Sequence, residues 1–466
     1  MHLTRRDLLK TTAIAGAGLA LPGLGHAAGI GPRVLPSGRI LVLVELEGGN
    51  DGLNTVVPYD DTNYSSKRPS LLYTQTQLAT AGTVLGTATT YTKVTKNGSY
   101  TNVTRNFGLN PLLNRLMASW TGTNGVNGDL AIALGVGYSQ PNLSHFRSID
   151  IWNSGSDSNQ FLTDGWLGRV LANNSGLLAG YTADAVLLER FSSNPLALPG
   201  IRYLAMSTPE DFIDRSWSLR DTNPNSTANV QLKHLLTVQH DVYGAANAFR
   251  AAFAQPGAPT PPIKSGYIYT APTFPGATLT FNVASSFEMQ CRHTAEMIAT
   301  DTQTNKLVIP VYKLHLGGFD NHSGQKPNHE DLLAQLGSGL SSLRAALINK
   351  NLWDKVVVMT YSEFGRRVEQ NGSAGTDHGT ANCHFIMGGK VQGGFYGKQP
   401  GLVASDWNTT NGDLDERGNL IALIDYRHLY KKAVTWMGLT PDAALATPPA
   451  PGGGLPADPL AGLFKP

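Results

Sequence analysis

The sequence predicts an α/β protein: a doubly wound, mainly parallel sheet with helices on both faces. Three observations predict it. Short apolar runs rich in Val, Ile and Leu recur without clean polar alternation, as strands covered on both faces require. Segments of helical periodicity lie between them, and this alternation implies parallel strands joined by crossover helices. Each apolar run is followed by Gly and polar residues, the place where open α/β sheets bind ligands.

In chain order, the first element is an export signal. "LTRRDLLKTTAIAGAGLALPGLGHAAG" has a basic start, a short apolar stretch and small residues near Ala27. Arg5 and Arg6, followed by Asp7-Leu8-Leu9-Lys10, resemble the twin-arginine motif read by the translocation machinery that exports folded proteins. The apolar stretch, Ala13 to Leu24, is shorter than the roughly 20 residues that span a bilayer, and no later segment is long enough. Cleavage near Ala27 or Ala28 would leave a mature chain without a transmembrane segment, periplasmic or secreted, preceded by a linker over residues 28–39. Loss of residues 1–27 takes the formal charge from +2 to about zero, which gives no reason to expect nucleic acid or an acidic membrane surface as partner. The two cysteines, Cys291 and Cys383, would form at most one disulfide in an oxidising compartment; buried free thiols are the alternative.

The strand-like runs are "RILVLVELEGGNDG", "LAIALGVGYSQPNLSHF", "KLVIPVYKLHLGGFDNH", "KVVVMTYSEFGR" and "HFIMGGKVQGG". Helical patterns are "VQLKHLLTVQHDVYGAANAFRAAFAQ", "NLIALIDYRHLYKKAVTWMGL" and "EDLLAQLGSGLSSLRAALINK". The last places Leu332, Leu336, Leu340, Leu343 and Leu347 on one face. Residues 59–105, rich in Thr, Ser, Asn and Tyr, and residues 256–280, rich in Pro and Thr, read as insertions or loops on one domain. The tail, residues 439–466, has too much Pro and Gly for a packed element and is expected to be extended.

Polar groups able to bind a cation follow separate strands. "LVELEGGNDG" supplies Asp51, "HLGGFDNH" supplies Asp320 and His322, "MTYSEFGR" supplies Glu363, and "GTDHG" supplies Asp377 and His378. Carboxylates gathered at one site repel unless a cation or shared protons offset their charge. Mixed carboxylate and imidazole donors suit Zn, Mn or Fe, and a carboxylate-dominated subset suits Mg or Ca. Asp320 and His322, if extended, share one face of the chain. Each residue also has a plainer reading. Asp51 fits an Asx turn, Glu363 fits an ion pair with Arg366 or Arg367, and His145, His315 and His384 fit packed or hydrogen-bonded histidines. An Asp-His-Gly loop, by contrast, allows close backbone approach at His378.

Together, "ELEGGNDGLNTVVPY", "SKRPSLL", "FGLNPLLNRL", "GYSQPNLSHFRSIDIWNSG", "GWLGR", "GGFDNH", "SEFGR" and "GTDHG" resemble the bacterial family named domain of unknown function 1501 (DUF1501). The resemblance runs from about Ile40 to about Gly438 and implies a single domain over residues 40–438. The family in turn looks like a branch of the alkaline phosphatase and sulfatase superfamily. That likeness implies an alkaline phosphatase-like fold with one or two divalent metal ions (Zn, Mn, Mg or Ca) at the strand ends. It implies metal roles for Asp51, Asp320, His322, Glu363 and His378, with Asp377 beside them. The sequence departs where Phe364, which cannot ligate metal, follows Glu363, and where the middle pair is closely spaced.

A superfamily nucleophile is commonly Ser, Thr or a modified Cys. No sulfatase-type Cys motif is present. Ser144 in "QPNLSHF" stands after a strand-like run at a helix start, where backbone N–H groups can hold an anion; an N-cap serine is the plainer reading. Thr55 is a second candidate, and His145 or Arg147 would orient the leaving group or anion. The resemblance thus implies an exported metal-dependent hydrolase of phosphate or sulfate esters. The alternative is a noncatalytic periplasmic or envelope-associated binding or structural protein that retains the fold. G-x-S-x-G, H-E-x-x-H, C-x-x-C and a complete P-loop pattern are absent, which argues against common esterases, zinc proteases, thiol-disulfide exchange and nucleotide loops.

Overall fold

The structure, a computed structural model, describes residues 38–93, 100–121, 128–178, 181–188, 194–260, 262–304, 308–402, 414–415 and 417–466. The expected export signal lies outside the described residues. Among those residues one nine-stranded sheet dominates. Its strands are β1 (Ile40–Leu46), β2 (Leu130–Gly137), β3 (Ala185–Leu187), β4 (Tyr203–Ala205), β5 (Val311–Leu316), β6 (Val356–Tyr361), β7 (Asn382–Met387), β8 (Gly394–Gly397) and β9 (Ile424–Asp425). They run in the order β8-β2-β7-β6-β1-β5-β3-β4, and β9 pairs with β2. The sheet is mixed but mainly parallel: β1 lies parallel to both β5 and β6, while β7 runs antiparallel to β2 and β6.

The unbroken apolar strands follow from burial on both faces. In β1, Val42, Val44 and Leu46 point into one core with Leu336, Leu340 and Leu343, and Leu41 and Leu43 point into the other with Trp152 and Tyr430. The first core is covered by α2 (Val230–Ala252), α3 (Ser286–Thr304) and α4 (Gln325–Asn349), the second by α1 (His145–Ser154) and α5 (Arg427–Trp436). Helix α4 buries the expected stripe at Leu336, Leu340, Leu343 and Leu347. A Leu340→Ala truncation there would cost about 2–5 kcal/mol.

Three expectations meet a different outcome. Helix α5 begins at Arg427 rather than near Asn419, because Ile424 and Asp425 pair with Val136 and Gly137 and Asp425 accepts from the Arg427 N–H. Part of the polar stretch over residues 59–105 forms an antiparallel hairpin, Val84–Lys93 with Tyr100–Leu109, joined by Val56–Val57 and Gln399–Pro400 in a four-stranded sheet. The Pro-rich tail packs as well as extends: Leu445, Leu460 and Leu463 are buried in the second core, and Phe464 stacks on Trp436. Cys291 and Cys383 are both free and buried. No described helix is long and apolar enough to cross a membrane.

Candidate metal centre

The topology gathers the polar loops at one edge. β1, β5 and β6 are parallel, so the segments after them, carrying Asp51, Asp320 with His322, and Glu363, emerge together. β7 is antiparallel to β6 and β2, so its amino end lies at that edge, bringing the loop before it with His378. β2 is thereby aligned with β6, and the segment after it leads into α1, whose first residue is His145. Gly48 permits a close approach of the loops after β1 and β5. It has φ +112°, and a Cβ there would lie 2.4 Å from the Asp320 backbone N.

His145, Asp320 and His378 each offer a donor atom within 4.8 Å of the others. His145 Nε2 stands 3.3 Å from Asp320 Oδ2, and His378 Nε2 stands 3.1 Å from Oδ1. His322 joins from the same loop as Asp320, its Nε2 2.9 Å from Oδ1 and 3.1 Å from His378 Nε2. The second ring nitrogen of each histidine faces an acceptor. His145 Nδ1 donates to Glu363 Oε1 at 2.7 Å, His378 Nδ1 donates to the Leu143 carbonyl at 2.7 Å, and His322 Nδ1 lies 3.5 Å from Asp377 Oδ1. A histidine whose Nδ1–H is engaged in this way presents the Nε2 lone pair, which is how metal-binding histidines are oriented.

Electrostatics give the cluster an internal cation. Arg366 is fully buried and donates through Nη2 to Asp320 Oδ1 at 2.7 Å, with further bonds to the Gly49, Thr376 and Phe319 carbonyls. Burial pushes the Asp320 pKa up, but hydrogen bonding and charge, chiefly from Arg366, outweigh it and hold the carboxyl well below the usual range. The Glu363 hydrogen bond raises the His145 pKa, and burial lowers that of His378.

The donor set fits a metal ion on one observation in particular. His145 Nε2 is buried and makes no hydrogen bond, although it lies within ion-pair distance of Asp320. Two donors on one tetrahedral ion at about 2.0–2.1 Å stand roughly 3.3 Å apart, close to the spacings found here. The exposed flank of Asp320 leaves room for further ligands.

The other predicted residues have their own surroundings. Asp51 is buried, with Oδ2 accepting from Arg68 at 2.6 Å and Gln325 at 2.5 Å, while Oδ1 has no partner. Burial raises its pKa, but Arg68 and His329 outweigh this and leave it lowered. Glu363 backs His145 and accepts the Gly48 N–H at 2.8 Å instead of pairing with an arginine. Asp377 stands beside His322 and 4.0 Å from Arg367. Ser144 occupies the N-cap position of α1, but its exposed side chain makes no capping bond. Thr55 is engaged with Asn50 and the Asp51 carbonyl. Phe364, the departure noted in the sequence, packs its ring against those of His145 and His378, at 4.9 and 4.7 Å between centroids.

Arg68, Gln325 and the role of Arg366 carry no local sequence signal. Arg366 lies within "SEFGRR", but nothing local shows that its partners come from the loops after β1 and β5. The sequence places His145 near a leaving group; only the sheet order brings it to Asp320.

The model of the family described as "Protein of unknown function (DUF1501)" matches residues 284–446. The matched segment is about a third of the chain. It contains Asp320, His322, Glu363, Asp377 and His378, whereas Asp51, Ser144 and His145 precede it. No curated protein matches the chain. Similar solved structures include the lipoteichoic acid synthase LtaP from Listeria monocytogenes, with 10% identity, 84% of this chain and 74% of that chain covered, and a TM-score of 0.30. A protein in the alkaline phosphatase superfamily from Vibrio parahaemolyticus has 10% identity, 96% and 79% coverage, and a TM-score of 0.29. The PsFucS1 sulfatase from Pseudoalteromonas sp. has 11% identity, 77% and 64% coverage, and a TM-score of 0.30.

Proposed function

We propose that the protein is an exported metal-dependent hydrolase of phosphate or sulfate esters, with one divalent ion held by His145, Asp320, His378 and His322. The observation that supports it best is the convergence of three imidazole Nε2 atoms on one carboxylate, with each Nδ1 turned to an acceptor. The reaction class comes from the motif resemblance. A histidine-rich donor set favours Zn, Mn or Fe over Mg or Ca. When bound, such an ion supplies Lewis-acid polarisation of the ester oxygen.

The chain's own residues supply the rest. Glu363 and the Leu143 carbonyl hold the rings of His145 and His378, and Asp377 faces that of His322. Arg366 offsets the charge of Asp320 from within the fold, and Asp51 serves chiefly as the counter-charge of Arg68. Ser144, next in sequence to His145 and with its hydroxyl uncommitted to the helix, is the candidate nucleophile. Its Oγ forms the bond to phosphorus or sulfur as the ester bond breaks, its proton passes to the departing alcohol, and water releases the anion and restores the serine.

The test is hydrolysis of 4-nitrophenyl phosphate and 4-nitrophenyl sulfate by mature protein loaded in turn with Zn, Mn, Mg and Ca. The reading expects metal-dependent turnover of at least one ester, abolished by chelator and lowered at least about 10³-fold by Ser144→Ala. Metal binding without turnover of either ester would instead favour the noncatalytic alternative.

A further inference from the structure

Beside the histidine cluster lies a cavity of about 210 Å³ whose walls include Lys67, Arg367 and Arg417 as well as Glu369 and Asp377. Asp377 belongs to both places. Its Oδ1 lies 3.5 Å from His322 Nδ1, and its Oδ2 lies 4.0 Å from Arg367 Nη1. The cavity and the cluster are thus separated by the width of one carboxyl group.

The cations of this open cavity have few close carboxylate partners among the described residues. The Asp377 contact, at the outer limit of an ion pair, is the sole carboxylate contact of Arg367 among the described residues, and Arg367 Nε is buried with no hydrogen-bond partner. Lys67 and Arg417 form no ion pair with a described carboxylate. Arg68 and Arg169, by contrast, meet Asp51 and Asp442 at 2.6 Å each. The Arg367 side chain is 37% exposed, so the open side of its guanidinium can meet an incoming anion.

We propose that this cavity binds a second anionic group of the substrate, so that the ester acted on is a di- or polyanion with a further phosphate, sulfate or carboxylate near the scissile group. This rests on the cluster being the reacting centre, but anion binding in the cavity does not itself require metal.

The test uses butane-1,4-diphosphonate and butylphosphonate, two probes of equal chain length that are not hydrolysed, titrated calorimetrically into metal-loaded and metal-free protein. Wild type is expected to bind the diphosphonate about tenfold more tightly than the monophosphonate, with the ratio falling as salt rises. Lys67→Gln combined with Arg417→Gln should bring the ratio to near one while metal content is retained. Both are surface positions, and circular dichroism would check folding; Arg367→Lys, which keeps the charge, should retain a large part of the preference. Equal affinity of the two probes for wild type, or a preference unchanged in the double variant, would overturn the proposal. Loss of metal-dependent monophosphonate binding, with the Lys67- and Arg417-dependent preference intact, would remove the hydrolase reading and leave the cavity's assignment standing.

Discussion

Asp51 distinguishes a metal ligand from the counter-ion of a buried arginine, and Asp51→Asn separates the two. The side chains of Arg68 and Asp51 are 0% and 2% exposed and meet at 2.6 Å. The substitution keeps shape and leaves Arg68 bonded to the Val368 and Arg367 carbonyls, but removes the charge that balances it. Removing one partner of such a pair costs about 3–5 kcal/mol. Arg68→Met should cost a similar amount, because it leaves a buried carboxylate with Gln325 alone. If the pair acts as a unit, the double variant loses less than the sum of the singles by at least about 2 kcal/mol. Urea unfolding of the four proteins measures the cycle, and elemental analysis of each folded variant measures bound ion. Asp51→Asn is expected to be destabilised yet to keep its metal. A variant that loses its ion with less than about 1 kcal/mol of destabilisation would refute the reasoning and make Asp51 a ligand.

Three further predictions follow from the same geometry. Glu363→Gln weakens the acceptor behind His145 and should lower metal affinity about 10–100-fold in a chelator competition, with little change in fold. Gly48→Ala places a Cβ 2.4 Å from the Asp320 backbone N at a φ of +112°; it should lose about 1–3 kcal/mol from backbone strain and weaken metal binding as well, read by thermal unfolding and the same competition. His384 has both ring nitrogens buried and unpartnered, and burial lowers its pKa to about 3. The folded state therefore binds fewer protons than the unfolded state between about pH 3 and 6.5. Its contribution is complete above 6.5 and is lost as pH falls, by about 2 kcal/mol at pH 5. His384→Leu should flatten that part of the pH–stability curve; an unchanged curve would show that His384 does not carry it.

The apolar strand runs were legible because both faces of the central strands are buried, so β1, β2, β5, β6 and β7 each stand out as a block. The leucine stripe of α4 was legible for the same reason. Short strands such as Ala185–Leu187 carry too few residues to signal themselves, and β9 hid within a helical pattern that only its pairing with β2 breaks. At the candidate centre, Asp320, His322, Glu363 and His378 could be singled out because each follows or precedes an apolar run beside Gly. Their division of labour could not. Glu363 faces His145 across 218 residues of sequence, and Arg366 reaches Gly49 across 317, contacts that no local pattern records.

The most direct test of the metal centre is elemental analysis of the mature protein, purified without chelator or a histidine tag, beside an Asp320→Ala, His378→Ala double variant. The account predicts about one divalent ion per wild-type chain and none retained by the folded double variant. Wild type that holds no ion after reconstitution with Zn, Mn, Mg and Ca, or a double variant that keeps its full complement, would contradict it.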